Sequence, residues 1–252
     1  MDKIKDVLAA LAQKENVKIL FACETGSRAW GFPSPDSDYD VRFIYMHKRD
    51  WYLSLSQHKE TIEYMYGDLD ITGWDLRKSL QLLKKSNAPL IERFQSPITY
   101  YADKNFKEDF KDLIQEYYSP TAVFFHHYSL AKKFWMELTG NEEVRLKSFF
   151  YLIRSMLSCH WIVRHRSVLP MDIEGLMSII DAKERDYLRE LIRLKAKVGE
   201  RYLHRPDNKL SGWMEELWKL LDCSKNSLGV SKADNTALTK YFLKMVNTNA
   251  DN

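Results

Sequence analysis

The sequence predicts an α+β chain, with a small unit of strands and flanking helices over residues 1–100 and an α-helical domain over residues 101–252. Three observations predict it. Short β-branched and apolar runs bounded by turn residues crowd into the first hundred positions. Apolar residues at helical spacing dominate afterwards, over 105–118, 119–139, 142–166, 182–200 and 207–222. At 45% hydrophobic and 29% charged, the composition is ordinary for a globular chain and argues against disorder as the state of the whole.

The elements follow in order. Ile4, Val7, Leu8 and Leu11 share one helical face, so an amphipathic helix opens the chain. Val17–Cys23 reads as a buried strand ended by Glu24-Thr25-Gly26. Residues 28–37 hold one glycine and two prolines and are expected to be largely irregular. Asp38–Met46 alternates as a second strand, and His58–Met65 and Leu69–Gly73 form two more around a turn at Tyr66-Gly67-Asp68. Asp75 is placed to cap a helix whose apolar stripe is Leu76, Leu80 and Leu83. Ser119-Pro120 is a helix-start pair further on. From Ser224 the chain is polar and expected to be loose until a last helix at Thr236–Val246.

Several function classes recede. With 38 basic and 35 acidic residues, the balance is too even to argue for nucleic acid by itself. Cys23, Cys159 and Cys223 are odd in number and far apart, which indicates neither a disulfide framework nor a zinc site. The charged N-terminus lacks a signal-peptide core and no window suits a membrane span, so a cytoplasmic protein without membrane association is expected. His126 and His127, adjacent on a helix, diverge by about 100° and make a poor chelating pair.

One constellation carries chemistry. Gly26-Ser27 directly follows the first strand, where a glycine allows a tight turn that brings backbone N–H groups to a ligand and a serine adds a hydroxyl. A helix starting there would favour a phosphate. Asp38 and Asp40, i and i+2 on a strand, direct both carboxylates to one face. Two such charges call for a cation, and hard oxygen ligands suit Mg²⁺. A third carboxylate from the Asp68/Asp70 cluster would complete a two-metal site. Each piece alone has an ordinary explanation as a turn or a cap; the order and spacing distinguish the combination. The acidic run before Asp40 lacks the glycine and terminal glutamate of an EF-hand loop.

Gly26-Ser27, ten intervening residues, then Asp38-Tyr39-Asp40-Val41 resembles the signature of the DNA polymerase β-type nucleotidyltransferases. The string CETGSRAWGFPSPDSDYDVRFIY resembles a narrower group, the YcgL-like predicted nucleotidyltransferases associated with RNA ligases, as do DITGWDLRKSLQLLKKSNAPLIERFQSPITY and KSFFYLIRSMLSCHWI. The resemblance implies a small mixed-sheet nucleotidyltransferase core followed by a helical domain. It implies transfer of a nucleoside monophosphate from an NTP, ATP among the candidates, to an acceptor with release of pyrophosphate. Gly26 and Ser27 would hold the triphosphate, and Asp38 and Asp40 would bind Mg²⁺ or Mn²⁺. Asp70, placed as a strand residue before Ile71, is preferred to Asp68 as third metal ligand and catalytic carboxylate.

The basic candidates are softer. Arg28 could reach phosphate. Arg42, two residues after Asp40, shares its face and could neutralise it. Lys147, Tyr151, Arg154 and Trp161 share a helix face that could bind phosphate and stack a base. Two rival readings stand: a nucleotide- or RNA-binding module without catalysis, and an antitoxin-like protein-interaction module. RNA is favoured over protein as acceptor on the group's RNA-ligase association.

Overall fold

A computed structural model describes residues 2–205, 208–225, 228–229 and 234–248. Contacts divide the chain into two compact units, one of residues 1–26, 38–118 and 232–252, the other of 27–37 and 119–231. Both units are discontinuous, so a single cut near residue 100 does not describe them.

The first unit opens with α1 (Asp2–Glu15), β1 (Lys18–Thr25) and the start of α2 (Gly26–Trp30), then resumes with β2 (Tyr39–Met46) and α3 (Arg49–Leu53). β3 (Thr61–Tyr66) and β4 (Leu69–Asp75) form a hairpin about Gly67, whose φ of +61° meets the turn's need for a left-handed residue. α4 (Leu76–Lys84), α5 (Ala88–Arg93), β5 (Thr99–Ala102) and α6 (Lys104–Tyr117) complete this run. Asp75 caps α4 as its position predicts, accepting from the Arg77 N–H.

The five strands lie in the order β3-β4-β2-β1-β5, with β2 and β4 parallel and the other pairs antiparallel, so the sheet is mixed. The apolar stripe of α1, Ile4, Leu8 and Leu11, packs in one cluster with Ala22, Val41, Phe43, Tyr45, Leu69 and Ile71. Strand alternation therefore turns Asp40, Arg42 and Asp70 to the opposite face. There Phe21 stacks on Phe94 at 4.7 Å and Phe94 on Phe110 at 4.5 Å, joining the sheet to α6. Truncating one buried member of these clusters is worth about 2–5 kcal/mol.

The second unit holds the rest of α2 and its following loop, α7 (Pro120–Leu138), β6 (Val144–Arg145), α8 (Leu146–His165), α9 (Ile173–Met177), α10 (Ala182–Lys195), β7 (Leu203–His204) and α11 (Asn208–Ser224). α8 is buried along most of its length, with α7, α9 and α11 packed against it. α12 (Thr236–Thr248) returns to the first unit and packs on α4. Within the polar stretch before it, expected to be loose, residues 226–227 and 230–233 lie outside the described residues.

The segment 28–37, expected to be largely irregular, begins within a helical turn, since α2 runs to Trp30 before the chain loosens. None of the described helices is long and apolar enough to cross a membrane. Cys23, Cys159 and Cys223 are free thiols, and only Cys223 is exposed.

Candidate active site

β1 is buried from Leu20 through Glu24 and ends at Thr25, which pairs with Asp40 across the β1–β2 ladder. Gly26 follows with φ +63°, and a Cβ there would lie 2.0 Å from Oδ2 of Asp40. Glycine alone therefore lets the Asp40 carboxylate come up against the turn.

Asp40 is held on several sides. Its carbonyl accepts from the Thr25 hydroxyl at 3.0 Å, and its N–H donates to Oε1 of Glu24 at 2.8 Å. Glu24 is fully buried, and its other oxygen accepts from the Tyr100 hydroxyl at 2.5 Å. A carboxylate so deep requires such donors, since an unsatisfied buried charge is expensive. Tyr100 thus reaches from β5 to brace the strand end beneath Asp40.

In the parallel β2–β4 register Asp40 stands beside Asp70. Nη2 of Arg42 donates to Oδ1 of Asp40 at 3.0 Å and to Oδ2 of Asp70 at 2.8 Å, and its Nη1 donates to the Asp70 carbonyl at 2.8 Å. One guanidinium thus bridges two carboxylates that would otherwise repel. The Asp40 and Asp70 side chains remain 31% and 36% exposed, against 19% for Arg42, so both acids stay open to a ligand. Cys23 and Arg93 behind them are buried. Burial pushes the Cys23 thiol up to about 12, and it pulls Arg93, which lies 3.4 Å from the Trp74 ring centroid, down to about 9.

Asp38 is exposed just before β2 rather than within it, and Asp68 is exposed in the turn before β4, where its carbonyl accepts from the Tyr39 N–H at 2.8 Å. Asp70, not Asp68, is therefore the neighbour of Asp40. Among the described residues no three His, Cys, Asp or Glu side chains converge as a ligand cage. Mg²⁺ needs none, because it takes one or two carboxylates and completes its shell with water and substrate phosphates; two hard acids, Asp38 and Asp40, fit that demand.

The remaining candidates lie in the second unit. Ser27 is buried, with its carbonyl accepting from the Phe32 N–H at 3.0 Å. Arg28 donates to the Ser37 carbonyl at 2.7 Å and so ties the two ends of the loop. Lys147 pairs at 2.6 Å with Glu200, which also accepts from the Ser37 hydroxyl at 3.1 Å. Tyr151 meets the Trp30 ring edge-on at 5.3 Å, and Arg154, 5% exposed, lies over the same ring at 4.4 Å while donating to the Met171 carbonyl. The three residues of α8 all bear on the loop that follows Gly26-Ser27. Trp161 instead lies against His165.

Sequence reasoning missed Glu24, Tyr100 and Lys195. Lys195 is buried, with its ammonium donating to the Ser34 hydroxyl at 2.7 Å, and burial lowers its pKa. Glu24 left one signal, a charge directly after the apolar run Ile19–Cys23.

The RNA repair pathway DNA polymerase beta family (RlaP) matches this chain over residues 1–244. The uncharacterized protein YcgL of Bacillus subtilis is 37% identical over 248 residues, covering 97% of this chain and 95% of the relative. The uncharacterized protein MJ0002 of Methanocaldococcus jannaschii is 28% identical over 236 residues, covering 88% and 90%.

Proposed function

The chain belongs to the RNA repair pathway DNA polymerase beta family, and on that premise we propose that it moves a nucleoside monophosphate from an NTP to the hydroxyl end of an RNA. Such a family implies nucleotidyltransferase-type chemistry; the nucleotide, the ion and the acceptor belong to the proposal. The observation that carries it is the pair Asp40 and Asp70, laterally adjacent on parallel strands, with Gly26 leaving room for the Asp40 carboxylate.

In this reading the acceptor oxygen attacks the α-phosphorus, the bond from that phosphorus to the bridging oxygen breaks, and pyrophosphate leaves. Asp38 and Asp40 would hold Mg²⁺, or Mn²⁺ in its place, and Asp70 is the third carboxylate, to join them or to take the proton from the attacking hydroxyl. When bound, such an ion would neutralise charge on the phosphates and activate the attacking oxygen. Gly26 and Ser27 hold the triphosphate by their backbone and hydroxyl, with Arg28 beside them. Lys147, Tyr151 and Arg154 serve by shaping the loop that presents these groups. Arg42 keeps Asp40 and Asp70 aligned between turnovers.

The test incubates the protein with each α-labelled NTP, Mg²⁺ or Mn²⁺, and separate pools of RNA and protein. Nuclease-sensitive label in the RNA pool is the expected result. Label confined to the protein pool would overturn RNA as acceptor, and measurable NTP binding without label in either pool would favour a binding module.

A further inference from the structure

At the far end of the same sheet, α4 and α12 enclose a groove of about 430 Å³. Arg77, Lys84 and Lys85 line it together with the polar Gln81 and Thr239 and the ring of Phe242, and among the described residues no carboxylate does. Lysines at a helix C-terminus are ordinary, because they complement the helix dipole. A groove whose charged lining residues are all cations is less so in a chain whose overall charge is nearly balanced. Arg77 pairs with Glu60 at 2.6 Å, whereas Lys84 and Lys85 form no ion pair among the described residues and are exposed. Aromatic faces adjoin the cations. The Arg77 guanidinium lies 5.4 Å from the Trp51 ring centroid and 5.5 Å from that of Tyr52, and Tyr52 meets Phe242 edge-on at 5.1 Å.

Cations that follow a backbone, interleaved with aromatic faces, are what a single strand of nucleic acid binds without reading its sequence. Arg77, at the start of the groove, follows closely on Asp75, which lies five residues, about 17 Å, along β4 from Asp70. That separation suits a strand whose end is at the carboxylates and whose body continues elsewhere.

We propose that the α4–α12 groove is a docking site for the phosphate backbone of a single-stranded RNA, distinct from the carboxylate site. The proposal rests on the RNA-acceptor reading above and adds where the body of that RNA is held. Lys84 and Lys85 contact successive phosphates, and Phe242 supplies a sequence-tolerant apolar face, with Tyr52 packed behind it.

The experiment measures fluorescence anisotropy of an end-labelled single-stranded RNA of about 12 nucleotides over a salt series, with the full chain. Lys84→Glu/Lys85→Glu is expected to weaken binding about tenfold and to reduce the slope of log K against log salt by about 1.4, two contacts at ~0.7 each. Gln81→Glu, which leaves the helix end untouched, is expected to weaken it in the same direction. Thermal melting of each variant checks the fold. Unchanged affinity and slope in both variants would overturn the proposal. So would displacement of the RNA from the wild type by inorganic pyrophosphate at concentrations that also occupy the groove in the absence of RNA, which would make it a site for small phosphorylated ligands. Transfer of label to RNA, assayed alongside, separates the two claims. Wild-type labelling with undiminished RNA binding by the variants fails the groove alone, whereas a wild type that neither binds nor labels RNA fails the acceptor reading and the groove with it.

Discussion

β4 begins and ends with an aspartate near each terminus, and the two lead opposite lives. Asp70 is a third exposed, lies beside Asp40 and shares Arg42 with it. Asp75 is fully buried, accepts from the Tyr52 hydroxyl at 2.7 Å and from the Arg77 N–H at 2.8 Å, and burial pushes its carboxyl up to about 6. One end of the strand leaves its acid reachable; the other uses its acid to start a helix. Surroundings, not residue type, decide whether a carboxylate is available for chemistry.

The strongest expected effect is at the turn that serves the reachable end. Gly26→Ala forces a Cβ into a left-handed residue and against the Asp40 carboxylate. Transfer should fall at least ~100-fold in a single-turnover assay, since a misplacement of about 1 Å suffices for that. Asp70→Asn comes next, with transfer down about 100-fold or more and melting nearly unchanged. Full activity in Asp70→Asn would remove that residue from the site.

Asp75→Asn should act on stability instead. The carboxyl is protonated in the folded chain up to about pH 6 and ionised in the unfolded chain above its ordinary value of 3.8. The folded state therefore binds extra proton between these values. The stability that Asp75 contributes is full below about 3.8 and is lost as pH rises through about 6, by up to about 3 kcal/mol. His47, pushed down to about 4 by burial, works in the opposite sense over much of the same window. The difference in melting temperature between wild type and Asp75→Asn, followed from pH 4 to 7, isolates the Asp75 part; a difference that does not change with pH would contradict it. The smallest effect is expected of Asp68→Asn. Its side chain is exposed in the turn, and transfer within about twofold and stability within ~0.5 kcal/mol of wild type should follow.

The same contrast explains what could be read from the chain in advance. Asp75 as a cap, Asp38-x-Asp40 and Asp70 as acids near strand starts, and Arg42 as a neighbour of Asp40 are local patterns, set by residues within a few positions of one another. The four strands before residue 100 and the long helices are periodic and appear near their expected places. The short helices α3, α5 and α9 are too brief to establish a period, although Asn87 and Pro89 mark the start of α5. Glu24 meeting Tyr100, 76 residues away, is a non-local pair with no pattern to announce it. Nor could spacing show that α12 returns to α4, or that the loop after Gly26 belongs with the helical unit, because compactness is a property of contacts across the whole chain.

Asp40 is the centre of the proposed site, and the most direct test compares label transfer from an α-labelled NTP to RNA by the wild type and by Asp40→Asn, with melting curves of both. Loss of transfer by at least ~100-fold in a variant that melts as cooperatively as the wild type is the predicted result. Transfer at the wild-type rate by a folded Asp40→Asn would contradict the assignment of the carboxylate pair.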